Sequence, residues 1–148
     1  MKTTKPDCIF CKIANGEIPT HVVYEDDVVM AFLDTSQITK GHTLVVPKYH
    51  LDNIFDYEAD DAAAIFQRLP KIAQAMQRAF PDMQGVNILN NNGEVAFQSV
   101  FHTHIHLIPR YTNKDGFGLK WIPAKEGTYS DDVLETIAQT VHAEIKED

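Results

Sequence analysis

Cysteine is scarce in this chain: two residues in 148. That leaves no disulfide framework to hold a small scaffold together, and a chain of this length buries enough surface to fold without one. Positive charge is also short. Lys and Arg number 13 against 21 Asp and Glu, a net charge of −8, so the broad basic field that tracks a nucleic-acid backbone is missing. No apolar run approaches the ~20 residues of a membrane span, and nucleic acid and membrane are both set aside as partners. The opening MKTTKPDC has no apolar core of a secretory signal, which makes the cytoplasm the expected compartment. There is no internal repeat, low-complexity block or linker. One domain over residues 1–148 is expected, with 1–6 a loosely held end.

What is present begins with periodicity. Ile65, Leu69, Ile72, Met76 and Phe80 form one apolar helical stripe, which Pro70 should kink or split. Shorter helices are expected at Cys8 to Ala14, stopped by Asn15-Gly16, and at Asp131 to Ile145. Strand signals fall at 21–24, 28–33, 43–46 and 85–89, with a tight acidic turn at 25–27. The fifth is the stretch QSVFHTHIHLIPR, residues 98–110. Short strands joined by tight turns, with helices set apart, predict an α+β domain around an antiparallel sheet.

That fifth stretch carries three of the seven histidines, His102, His104 and His106. In a strand, alternate residues share a face, so the three imidazoles should project together while Phe101, Thr103, Ile105 and Leu107 face the core. Each desolvated imidazole needs partners for two ring nitrogens, which makes three in register unlike ordinary core packing. Two functional readings follow. The histidines chelate a catalytic metal with an open position for water, or the middle one is a nucleophile oriented by its neighbours. Asn90-Asn91-Asn92-Gly93 and Gln98-Ser99 supply neutral donors nearby, which suit a phosphate better than a hydrolytic metal. Separately, Cys8 and Cys11 have the spacing of half a zinc site.

His102-Thr-His104-Ile-His106-Leu-Ile resembles the motif of the histidine-triad (HIT) family, three histidines alternating with apolar residues. Cys8-Ile-Phe-Cys-Lys-Ile, Ala31-Phe-Leu-Asp34, Gly41-His-Thr-Leu-Val-Val-Pro-Lys48 and Asn90-Asn-Asn-Gly93 resemble its bacterial, zinc-containing branch in the same order. The resemblance implies an antiparallel five-stranded sheet with a long helix and short N- and C-terminal helices, residues from about 111 to 148 forming a C-terminal extension. It implies a purine nucleoside phosphoramidase or nucleotide hydrolase working through a nucleotidyl-histidine on His104. His106 would donate to the phosphate, and Gln98 and Ser99 would contact phosphate or leaving group. Asp34 would accept from the ribose hydroxyls, Phe10, Ile13 and Phe32 would wall the base, Asn91 would stand beside the phosphate, and His42 would support the site. Cys8, Cys11, His50 and His102 would hold a structural Zn²⁺, with no organic cofactor, in a homodimer. Diadenosine polyphosphate hydrolysis, or a nucleotide-binding interaction module of weak activity, are the alternatives.

Two positions depart from that pattern. Thr103 stands where an apolar residue is usual, so its hydroxyl needs a partner. Phe97 precedes Gln98 where many relatives carry glycine, and a backbone requiring positive φ would penalise it.

Overall fold

A computed structural model describes residues 2–147. Five strands, β1 (Val22–Glu25), β2 (Val29–Leu33), β3 (Thr43–Pro47), β4 (Gly85–Leu89) and β5 (Ile105–Arg110), form one sheet in the order β1-β2-β3-β5-β4. Every pairing is antiparallel, as the α+β expectation required. Four helices accompany it: α1 (Ile9–Ala14), α2 (Ala59–Phe66), α3 (Leu69–Ala79) and α4 (Asp131–Glu144). The apolar stripe of residues 65–80 is indeed broken. Pro70 sits in the first turn of α3, where its missing N–H costs nothing, and Gln67 caps α2 just before it.

The chain divides after Gly118 into two compact units, later than the boundary near 111 expected from sequence. Residues just beyond β5 stay with the sheet because Asp115 accepts from Arg110 Nε and from the amides of Tyr111 and Thr112, at 2.8–3.1 Å. In the second unit α4 is capped by Ser130, whose hydroxyl accepts from Val133 N. None of its residues is buried within the chain.

Strand alternation sorts the first unit's core into two clusters. Val29, Ala31, Val45, Ile105 and Leu107 point to one face of the sheet and pack on Ile65, Leu69, Ile72 and Met76 of α2 and α3. Met30, Phe32, Leu44 and Val46 point to the other face, where α1 packs with Phe10, Ile13 and Ala14. Register then places His106: it pairs with Leu44 of β3 and Leu89 of β4, so it shares the α1 face. The histidine run is not all strand, however. Ladder pairing begins at Val45↔Ile105, and His102 and His104 lie in the irregular lead-in, His102 at a bend. Thr103 N donates to Leu51 O instead of to a strand neighbour. Its hydroxyl pairs with Tyr57 Oη at 2.7 Å, which supplies the partner that position needed. Phe101, expected in the core, is 46% exposed because the strand has not yet begun there.

The N-terminal end is also more firmly tied than its polar composition implies. Lys2 Nζ pairs with the buried Asp61 carboxylate and lies over the Tyr49 ring. His50 N donates to Thr3 O at 2.7 Å, and Lys5 N reaches Cys11 Sγ at 3.4 Å. Composition does not show these partners, which lie on β3's exit and α2. Leu107, fully buried between β3, β4 and the α2–α3 layer, is a direct test of the core. Leu107→Ala should cost about 2–5 kcal/mol, read as a lower urea midpoint with an unchanged slope.

Candidate active site

Neutral histidine carries one proton on two nitrogens, and the fixed partners of each ring decide which nitrogen holds it. His104 Nδ1 lies 2.8 Å from the carbonyl of His102. A carbonyl only accepts, so Nδ1 is protonated and Nε2 is left with a lone pair. His102 Nε2 lies 2.9 Å from Pro47 O, so the same reasoning puts its proton on Nε2 and its lone pair on Nδ1. His42 Nδ1 accepts from Ile38 N at 3.4 Å. Its Nε2–H therefore donates to His106 Nδ1, 2.9 Å away, leaving His106 with its proton on Nε2. Two adjacent imidazoles, His104 and His106, thus present opposite characters, a base and a donor, with ring centroids 5.1 Å apart.

Burial keeps these rings neutral. Desolvation lowers the pKa of His104 and of His42, and carries His106 down to about 4, with its histidine neighbours adding to the effect. The edge of Phe10 meets His104 at 5.1 Å and His102 at 5.9 Å, and Phe10 itself packs on Phe32 at 5.7 Å. Phe10, Ile13 and Phe32 pack in one apolar cluster on the α1 face, with Phe10 against His104. Asp34, just past β2, turns one oxygen to Ser36 N at 2.8 Å and the other to His42 Nε2 at 3.8 Å. His42 is buried between Asp34 and His106, a position that earns it more than a supporting place.

The loop before the histidines divides differently from expectation. Ser99 is exposed at the rim, and Asn91 Nδ2 reaches Phe97 O at 3.4 Å. Gln98 turns inward instead of toward a phosphate. It is 4% exposed, its amide donates to Asp52 O and Val100 O at 2.6 and 3.0 Å, and its oxygen accepts from Gly93 N. Its side chain is a clasp on the loop, not a free donor. Asn90 Nδ2 holds the His104 carbonyl at 2.9 Å, a role that the neutral-donor reading of this loop did not single out.

The thiol–imidazole cluster assembles as expected. Cys8 and Cys11, on the cap and first turn of α1, approach His102 Nδ1 at 3.4 Å each, and Cys11 approaches His50 Nδ1 at 3.5 Å. Tetrahedral Zn²⁺ with its usual bond lengths sets sulfur and nitrogen ligands about 3.5 Å apart. The four donor atoms lie within 4.8 Å of one another, so the set fits a metal. Each imidazole also offers the required lone pair, since His50 Nε2 is anchored 2.7 Å from Asp52 Oδ1 and His102 Nε2 by Pro47. Burial raises the Cys11 thiol pKa, and a bound cation would reverse that. Asp52 was missed in the sequence, although a carboxylate two residues past a ligand histidine is a readable sign of such an anchor.

An antiparallel five-stranded sheet with three ordered imidazoles beside a closed Cys₂His₂ set defines a histidine-triad protein. The family model described as "HIT domain" matches residues 15–113, and the chain belongs to the HIT family. It is 50% identical over 139 residues to "Protein hit" of Bacillus subtilis, covering 94% of this chain and 92% of that one. It is 39% identical over 117 residues to an adenosine 5'-monophosphoramidase of Candida albicans, covering 77% of each. A crystal structure of a HIT family protein from Bacillus anthracis superposes with a TM-score of 0.90 at 50% identity, covering 97% of this chain and 100% of that chain.

Phe97 is the one non-glycine residue at positive φ among those described, at φ 69° and ψ 24°, with its ring 84% exposed. The left-handed region costs a side-chain residue roughly 1–2 kcal/mol, and an exposed ring recovers little of that by packing. Phe97→Gly should raise stability by about 0.5–1 kcal/mol after the added unfolded-chain entropy of glycine is subtracted. A chemical-denaturation midpoint that fails to rise would show the strain to be absent.

Proposed function

We propose that the protein is a purine nucleoside phosphoramidase that transfers a nucleotidyl group to His104 and then to water. The observation that carries this reading is the hydrogen bond from His104 Nδ1 to the His102 carbonyl. It aims an unprotonated Nε2 outward and stabilises the positive charge that ring nitrogens acquire on attack. Nε2 forms a bond to the α-phosphorus as the bond to the leaving amine breaks. The amine takes a proton at the rim, where Ser99 stands, and His106 Nε2–H donates to a phosphate oxygen throughout. Water then adds to phosphorus as the P–N bond to His104 breaks, the ring returns to its neutral form, and the proton the water sheds goes back to the rim to replace the one the amine took. Phe10, Ile13 and Phe32 seat the base, and the Asp34 carboxylate accepts from ribose hydroxyls. Adenosine phosphoramidase activity in a relative 39% identical to this chain supports the substrate class.

Zn²⁺ held by Cys8, Cys11, His50 and His102 fills all four tetrahedral positions and so acts structurally. The ligands would tie α1 to the segment that carries His104, and a thiolate metal site in place of a disulfide fits a reducing cytoplasm. A homodimer fits two exposed surfaces among the described residues. β4 is an edge strand, Gly-Val-Asn-Ile-Leu, with no charged residue to protect it. α4, for its part, leaves Val133, Leu134, Ile137 and Val141 exposed.

A brief incubation with an adenosine phosphoramidate, quenched in base, should give a mass increase of one adenylate located on His104. His104→Ala should lose turnover while still binding adenosine monophosphate. Turnover by that variant equal to wild type would refute the nucleophile. The pH profile carries a sign as well. Protonation of Nε2 removes the attacking lone pair, and burial moves that event below the ordinary 6.5 of an imidazole. The acid limb of the kcat/KM profile should therefore be centred below pH 6.5. An acid limb centred above 6.5 would contradict the assignment.

A further inference from the structure

Asp52 touches two places at once. Its carboxylate accepts from His50 Nε2 at 2.7 Å, with Lys5 Nζ 3.6 Å from the same oxygen. Its carbonyl accepts from Gln98 Nε2 at 2.6 Å. Gln98 in turn closes the rim loop, since its Oε1 takes Gly93 N at 2.8 Å and its own backbone N donates to Gly93 O at 3.0 Å. A second strut runs parallel, from Ile54 N to Asn92 Oδ1 at 2.7 Å. A continuous path of hydrogen bonds therefore leads from the thiol–imidazole cluster to the loop bearing Ser99.

We infer that Asp52 and Gln98 are positioning residues that couple metal occupancy of the Cys8–Cys11–His50–His102 site to the order of the rim loop 93–99. A cation drawing in His50 Nδ1 fixes the ring, and a rigid ring fixes the position of its Nε2–H. The Asp52 carboxylate follows that hydrogen, and its peptide presents the carbonyl that Gln98 needs. Without the cation, His50 keeps its hydrogen bonds to Asp52 and Thr3 and its thiol contact but loses the bond that would fix its ring, so the Asp52–Gln98 contact is held less firmly. Coupling between two sites is reciprocal, so loosening the loop must also weaken retention of the metal. Gln98 reaches the metal side through Asp52 and through Val100 O, two residues ahead of His102, whereas His102 reaches His104 directly along the chain. The two routes are therefore separable by cutting Gln98 alone. The inference rests on the metal reading above, and its test needs no nucleotide.

The test is amide hydrogen exchange at 93–99 in the zinc-loaded and metal-stripped full chain, for wild type and Gln98→Ala, alongside zinc release to a chromophoric chelator. In wild type, stripping should speed exchange of this loop by about tenfold. In Gln98→Ala the loop should exchange fast in both forms, and zinc should leave about five- to tenfold faster than from wild type. Asp52→Asn, which keeps the carbonyl and weakens the His50 anchor together with the exposed Lys5 pairing, should move the zinc-loaded loop toward the stripped rate. It serves as the second arm if Gln98→Ala does not fold. Zinc that binds while exchange at 93–99 is indifferent to it would overturn the inference and leave the phosphoramidase reading intact. An equal acceleration on stripping in wild type and Gln98→Ala, or zinc release at the wild-type rate, would also overturn it. Failure to bind zinc at all would overturn both this coupling and the metal reading.

Discussion

A single proton, held on His104 Nδ1 by the carbonyl two residues upstream, sets the chemical character of the whole site. Moved to Nε2, the same ring would present a donor where the proposed attack on phosphorus calls for a lone pair, and His106 beside it would duplicate its role. Backbone carbonyls are rigid, unprotonatable partners, so two of the three triad tautomers are set by main chain, at His102 O and Pro47 O. Only His106 depends on another side chain, through the relay from Ile38 N by way of His42. That makes His42 the residue through which the donor character of His106 is maintained.

The sheet makes this arrangement possible by separating its two faces. The α2–α3 layer supplies most of the buried aliphatic surface, with Val29, Ala31, Val45, Ile105 and Leu107 against Ile65, Leu69, Ile72 and Met76. With one face anchored in this way, the other can carry polar rings that contribute less to stability and need exact partners. His102 and His104 lie just ahead of the ladder, where backbone groups are not committed to strand neighbours. Their irregular segment can therefore lend the His102 carbonyl to a side chain. The departure from regular strand is thus a requirement of the site. A ladder begun at residue 101 would compete for that carbonyl.

Much of this was legible in advance for definite physical reasons. Alternation gave the strands, the 65–80 stripe gave the helix layer, and proline's missing N–H gave its break. Histidines at alternate positions and the Cys8–Cys11 spacing marked the site because few structural roles need such patterns. What the sequence hid were long-range partners. Gln98 was expected to face a phosphate, but Asp52 O, 46 positions away, captures its amide. Lys2 and Thr3 looked free because Asp61 and His50 are distant in sequence. Phe97 was flagged as a poor occupant of a left-handed backbone, and the chain does adopt that conformation there. Its ring has no packing partner that accounts for the choice.

Nitrogen-15 NMR of the histidine rings tests the central claim most directly, because it reports which nitrogen carries the proton. At neutral pH the account predicts His104 protonated at Nδ1, with His42, His102 and His106 protonated at Nε2. A spectrum showing His104 protonated at Nε2 would contradict it, whatever activity the protein displays.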